Sequence, residues 1–201
     1  MENLNSFDQL LNYPEENGLI YESHHDEKRL YLSPNDQLVN TKYIVFKKRN
    51  LIFCAYDSFT AKIGSSRTFT GIYSPIRLNP EMELELSRKH WSDYILLFNK
   101  RKTGADVIDR NFTITATKRW NFESVLSEKE AHLFLELEKQ IHPLKLIIQH
   151  NYIPIISELK GKQVIGLETN QWISTKKDVD QFLNLGGMLI ENIIKVSSRF
   201  F

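Results

Sequence analysis

The chain has 201 residues, 41% hydrophobic and 11% aromatic, which is ample for a folded core and argues against disorder. Its 26 Lys and Arg stand against 25 Asp and Glu, and a net charge of +1 argues against a dedicated nucleic-acid binder, whose affinity comes from neutralising phosphates. One cysteine, Cys54, excludes an intramolecular disulfide and argues against a thiolate zinc site.

In chain order, Phe7, Leu10 and Leu11 have helical spacing, and Pro14 is expected to stop that short helix. Residues 19–21 read as a first strand. A polar stretch over 23–40 comes next, holding His24, His25 and Asp26 and a turn at Ser33-Pro34-Asn35-Asp36. Residues 41–46 and 51–57 are rich in β-branched and aromatic side chains, predicting a hairpin closed by the four-residue loop Lys47-Lys48-Arg49-Asn50. Residues 60–67 read as a loop and 68–73 as a third strand, with Pro75 and Pro80 confining the next segment to an edge or an irregular crossing. Strict alternation over 81–86 sets Met82, Leu84 and Leu86 on one face and three glutamates on the other.

Residues 90–99 suggest a short helix, and 111–116 a strand. Ser127-Glu128-Lys129-Glu130 has capping-box spacing, predicting that Ser127 accepts from the Glu130 N–H at the start of a helix over 127–141. His132 falls on its polar face and His142 near its last turn. Residues 144–149 and 152–157 read as a strand pair, and 164–168 as a further strand. A final helix over 175–196 carries Gly186 and Gly187, for which close approach of a backbone, or a kink, is the expected reason. These elements predict a single α+β domain over 1–201, with two halves (about 1–105 and 106–201) sharing one sheet as the alternative division. The sheet is expected to be curved and largely antiparallel, with the 127–141 and 175–196 helices packed on it and a short N-terminal helix at an edge or end.

The run Gly18-Leu19-Ile20-Tyr21, the 43–46 and 52–57 hairpin strands, Thr68-Phe69-Thr70, Glu83-Leu84-Glu85-Leu86, the 112–116 strand and Val125-Leu126-Ser127 together resemble a loosely related group of uncharacterised bacterial proteins described as domains of unknown function. The resemblance spans residues 18–195. It implies the fold only and brings no catalytic residues. Members often carry transmembrane segments ahead of the domain. Here the start of the chain lacks signal-peptide character, and apolar runs such as 94–98 fall far short of the ~18 residues of a membrane span. A soluble cytoplasmic protein is predicted.

Residue chemistry gives few leads. His24, His25 and Asp26 bring two imidazoles and a carboxylate together, but neighbours on a strand point to opposite faces, and a solvated loop is the plainer reading than a metal site. No G-x-S-x-G elbow supports Ser/His/Asp catalysis, and Gly64-Ser65-Ser66-Arg67 lacks P-loop spacing. Basic clusters at Lys47-Lys48-Arg49, Lys100-Arg101-Lys102 and Lys160-Gly161-Lys162 would bind a nucleic-acid strand only if they converged. Cys54 lies in an apolar run as a buried, inert thiol. Trp91, Trp120 and Trp172 each stand beside polar residues at an element boundary and are candidate ligand-binding residues. The prediction is a non-enzymatic module, without cofactor, that binds a protein partner or an apolar small ligand between sheet and helices. The alternatives are a hydrolase or metal-dependent enzyme using His24, His25 and Asp26, and nucleic-acid binding through the basic turns.

Overall fold

A computed structural model describes residues 5–28, 39–60, 65–78, 82–89, 103, 105–117, 126–150 and 153–197. In chain order the elements are α1 (Ser6–Glu16), β1 (Tyr21–Lys28), β2 (Val39–Lys48), β3 (Leu51–Thr60), β4 (Ser65–Pro75), β5 (Leu84–Arg88), α2 (Asp106–Asn111), β6 (Phe112–Ala116), α3 (Glu128–Glu138), β7 (Leu144–His150) and β8 (Gln163–Thr169). The chain then forms α4 (Lys176–Gln181), a π-helical turn (Phe182–Gly186) and α5 (Gly187–Ser197) without a break. The eight strands make one open sheet in the order β1-β2-β3-β4-β8-β7-β5-β6, every pair antiparallel. The class is α+β. β5 lies between β7 and β6, so strands from before and after residue 105 interleave.

Alternation along each strand sorts the side chains onto two faces. Phe46, Phe53, Ile72, Leu167, Leu146 and Leu86 form one row running from β2 across to β5, and face the helices with Phe134, Leu137, Phe182 and Ile190 as one core. Burying each such side chain contributes about 1.5–3 kcal/mol. The opposite face carries a smaller core, in which Ile52, Cys54, Phe69 and Tyr73 are covered by Ile153, Ile156 and Leu159. That cover is the correction to the expected 152–157 strand. Ile153–Ile156 is a turn leading into a 3₁₀ turn at Ser157–Leu159, and β7 pairs with β8 instead.

Other boundaries differ for local reasons. Pro14 sits inside α1, in its last turn, rather than ending it; Asn5 caps the other end by accepting from the Phe7 and Asp8 N–H groups. The polar 23–40 stretch is not loop throughout, since the edge strand β1 spans Tyr21–Lys28, and of the strand expected over 19–21 only Tyr21 belongs to it. The β2–β3 connection is a two-residue turn, with Lys48 paired to Leu51 and Arg49 at φ 57°. Ser65–Arg67, expected in a loop, belong to β4, while Met82 precedes β5. α2 is a helix that no periodicity in the sequence marked. The 90–99 helix, the 33–36 turn and Gly64 lie outside the described residues.

At α3 the capping geometry is also different. Ser127 makes no side-chain bond to a backbone N–H; its hydroxyl donates to the Glu130 carboxylate, and Asn192 Nδ2 donates to the other Glu130 oxygen at 3.4 Å. The helix ends at Glu138 rather than 141. Gly186 and Gly187 do have a packing reason, but against side chains rather than backbone. A Cβ on Gly186 would come within 2.7 Å of Ile72 Cδ1, and one on Gly187 within 2.7 Å of Leu51 Cδ1.

Candidate interaction surface

The β2–β3 turn stands at one end of the sheet, and its basic cluster divides between the two faces. Lys47 Nζ donates to Glu158 at 2.5 Å on the face of the smaller core. Lys48 Nζ donates to the Tyr13 hydroxyl at 2.7 Å and lies 3.5 Å from Asp180, which accepts from the same hydroxyl at 2.6 Å. Burial first, and then that hydrogen bond and the Asp180 charge, push the Tyr13 phenol well above the ordinary tyrosine value. Two of the three charges are thereby held by carboxylates. Arg49 is exposed and, among the described residues, has no carboxylate partner. Lys160 and Lys162 are exposed on a separate turn, and Lys100, Arg101 and Lys102 lie outside the described residues.

Three grooves open around this turn. The first, about 520 Å³, runs between the α1–β1 connection, β2 and the 155–158 segment, with Ile20, Tyr21, Val45, Ile52 and Ile155 among its walls. The second, about 500 Å³, lies under α5, lined by Leu51, Pro75, Ile190 and Ile194. The third, about 280 Å³, is walled by Lys48, Arg49, Leu183 and Met188. Large apolar side chains stand exposed beside them: Ile20 at 92%, Met188 at 55% and Tyr21 at 37%. Apolar side chains exposed beside concave walls are a common mark of a recognition surface.

The residues singled out from sequence do not gather here. His24 and His25 lie on β1, on opposite faces; His24 stacks on Tyr43 at 5.3 Å between ring centroids and His25 tilts against Phe7 at 5.2 Å. Asp26, the next residue of β1, is half-buried. Among the described residues no group of three or more His, Cys, Asp or Glu side chains is arranged to hold a metal ion. Trp172 packs its ring on Phe7, lies under the Lys42 ammonium at 4.8 Å and donates its indole N–H to the Ser6 carbonyl. It pins α1 to the sheet. Trp91 and Trp120 lie outside the described residues, as does His90. His132 and His150 are exposed. Cys54 is fully buried, and burial first, then the nearby Glu168 charge, raise its thiol above the ordinary range and disfavour the thiolate.

One cluster has almost no sequence signature. The Glu138 carboxylate is fully buried at the end of α3, receiving Arg88 Nη1 at 2.8 Å on one oxygen and His142 Nδ1 on the other. The Glu138/His142 spacing of four is visible in the sequence, but the strand partner, Arg88, is fifty positions away. The grooves are hidden from sequence for the same reason, since their walls come from four distant segments.

No protein-family model, curated protein or solved structure matches this chain. Among the described residues, no helix is long and apolar enough to cross a membrane.

Proposed function

We propose that the protein is a non-catalytic binding module whose recognition surface is the groove system around the β2–β3 turn, and that it takes an apolar segment of a protein partner. The observation that carries this reading is Ile20, Tyr21 and Met188 standing exposed around grooves whose flanking lysines are already paired with Glu158 and Asp180. Paired lysines leave little free positive charge for a nucleic-acid backbone, whereas the apolar walls favour an aliphatic or aromatic side chain. A bacterial, cytoplasmic setting and membership of the group resembled over residues 18–195 belong to this proposal and rest on sequence alone.

Titration with an environment-sensitive aliphatic fluorophore tests it. Saturable binding is expected, weakened at least tenfold by Ile20→Asp combined with Met188→Glu, two substitutions at exposed positions. Unsaturable binding, or binding untouched by the pair, overturns the reading.

A further inference from the structure

We propose that two copies of this chain pair antiparallel through the outer edge of β1, related by a two-fold axis at Tyr21, with Ile20 of each copy seated in the 520 Å³ groove of the other. This names the partner of the surface just described and rests on that reading.

The edge itself is the first argument. β1 ends the sheet, and among the described residues no strand pairs with its outer side. The side chains of residues 21–25 are all exposed. An unpaired strand edge is a template for another strand unless something blunts it.

The second argument is that knob and hole share one surface. Ile20 contributes to the wall of its own groove yet remains 92% exposed, so it does not fill that groove. A two-fold interface requires a self-complementary patch, and a protruding side chain beside a concavity supplies one.

Register decides the rest. In a two-fold antiparallel pair with the helices of both copies on one side, the axis passes through a single residue. Centring on Glu22 opposes two glutamates, and centring on His24 opposes Glu22 to the second copy's Asp26. Like charges directly opposite are destabilising. Centring on Ser23 sets Glu22 against His24, and centring on His25 sets His24 against Asp26, but both leave Ile20 outside the groove, which Glu22 lines and Asp26 does not. Centring on Tyr21 sets the two Tyr21 rings opposite each other and Ile20 opposite the second copy's Glu22. Glu22 lies beside Val45 on β2, a wall of the groove, and on the same sheet face. Ile20 therefore enters where the groove opens.

Charge agrees with this register. Glu22 accepts from the Tyr43 hydroxyl at 2.9 Å but has no basic partner among the described residues, and Arg49, on the same groove rim, has no acidic one. The pairing brings Glu22 of each copy toward the Lys47 and Arg49 rim of the other. The strained φ of Arg49 fits a side chain kept there for a contact, since a glycine would hold that backbone conformation more cheaply.

Sedimentation equilibrium on the full chain, from micromolar to near-millimolar concentration, tests the pairing. A monomer–dimer equilibrium is expected, with the dissociation constant raised at least tenfold by Ile20→Asp, whose exposed position spares the fold. Glu22→Arg and Arg49→Glu should each weaken the dimer, and the two together should restore it. A monomer at every concentration, or a dimer indifferent to Ile20→Asp, overturns the inference. The two readings separate through an aliphatic probe: if the monomer binds it and Ile20→Asp abolishes that binding, only the dimer falls; if neither dimer nor probe binding is seen, both fall.

Discussion

The ring of Tyr73 occupies the space that a side chain at Gly166 would need: a Cβ there would come within 2.6 Å of Tyr73 Cδ1. Gly166 faces Tyr73 across the β4–β8 pair, and a Cβ at Gly71 would meet the same ring even more closely. Two glycines on neighbouring strands thus form a slot in which the ring lies flat, its hydroxyl donating to Glu168 at 2.7 Å. Gly166→Ala should destabilise the protein by about 1–3 kcal/mol, the range for overpacking a well-filled core. Denaturant midpoints measure it. Adding Tyr73→Leu should cost less than the sum of the two single changes, because the shorter side chain clears the slot; strict additivity would contradict the slot.

At the end of α3 the outcome turns on which partner is removed. The carboxylate of Glu138 has no exposure, while Arg88 and His142 are half-exposed or more. Arg88→Ala leaves a buried charge with one remaining partner, whereas Glu138→Gln lets both partners hydrate. The arginine substitution should therefore be the more destabilising, by about 1–2 kcal/mol, since leaving a buried charge uncompensated is the larger penalty. Equal midpoints for the two variants would refute this.

Stability should fall at alkaline pH, and Tyr13 should carry part of the fall. Its phenol is raised above the ordinary value in the folded state, by burial and then by Asp180. Folded protein therefore holds the proton that the unfolded chain loses near pH ~10. The contribution is complete below that pH and is lost as pH climbs through the folded value, at about 1.4 kcal/mol per unit. Tyr13→Phe should lower stability at neutral pH and flatten the alkaline limb in urea unfolding. An unchanged alkaline slope would show that Tyr13 contributes nothing there.

Cys54 offers a probe of opening. Its side chain is fully buried between the sheet and the 153–159 cover, and burial raises its thiol. Labelling by a maleimide should proceed only through unfolding and track the global stability in denaturant. Labelling faster than global unfolding would place a separate, low-energy opening at the 153–159 cover.

The parts of the fold with one wet and one dry face were legible from sequence. β2 and β5 alternate because each buries one face against the helices, and the apolar stripe of α3 obeys the same logic; β3 shows instead as a β-branched and aromatic run, since Leu51–Ala55 are buried on both faces. β1 was legible only at its first residue, Tyr21, because Tyr21–His25 are exposed on both faces and no alternation marks an edge strand whose outer side is open. The opposite error came at Ile153–Ile156, where an apolar run is buried as a cover over Cys54 and Tyr73 rather than as a strand; burial alone sets no secondary structure. Gly186 and Gly187 announced tight packing but not their neighbours, Ile72 and Leu51, which lie more than a hundred positions earlier. The grooves are a property of how four segments meet, and Ile20 carries no local sign that it is left outside.

The central claim, that this surface is where the protein recognises its partner, is most directly tested by an amide chemical-shift map of the chain titrated with a short alkyl glycoside. The claim predicts saturable shifts confined to residues 18–22, 45–52, 155–158 and 183–195, absent in the Ile20→Asp, Met188→Glu protein. Shifts centred elsewhere, or none that saturate, would contradict it.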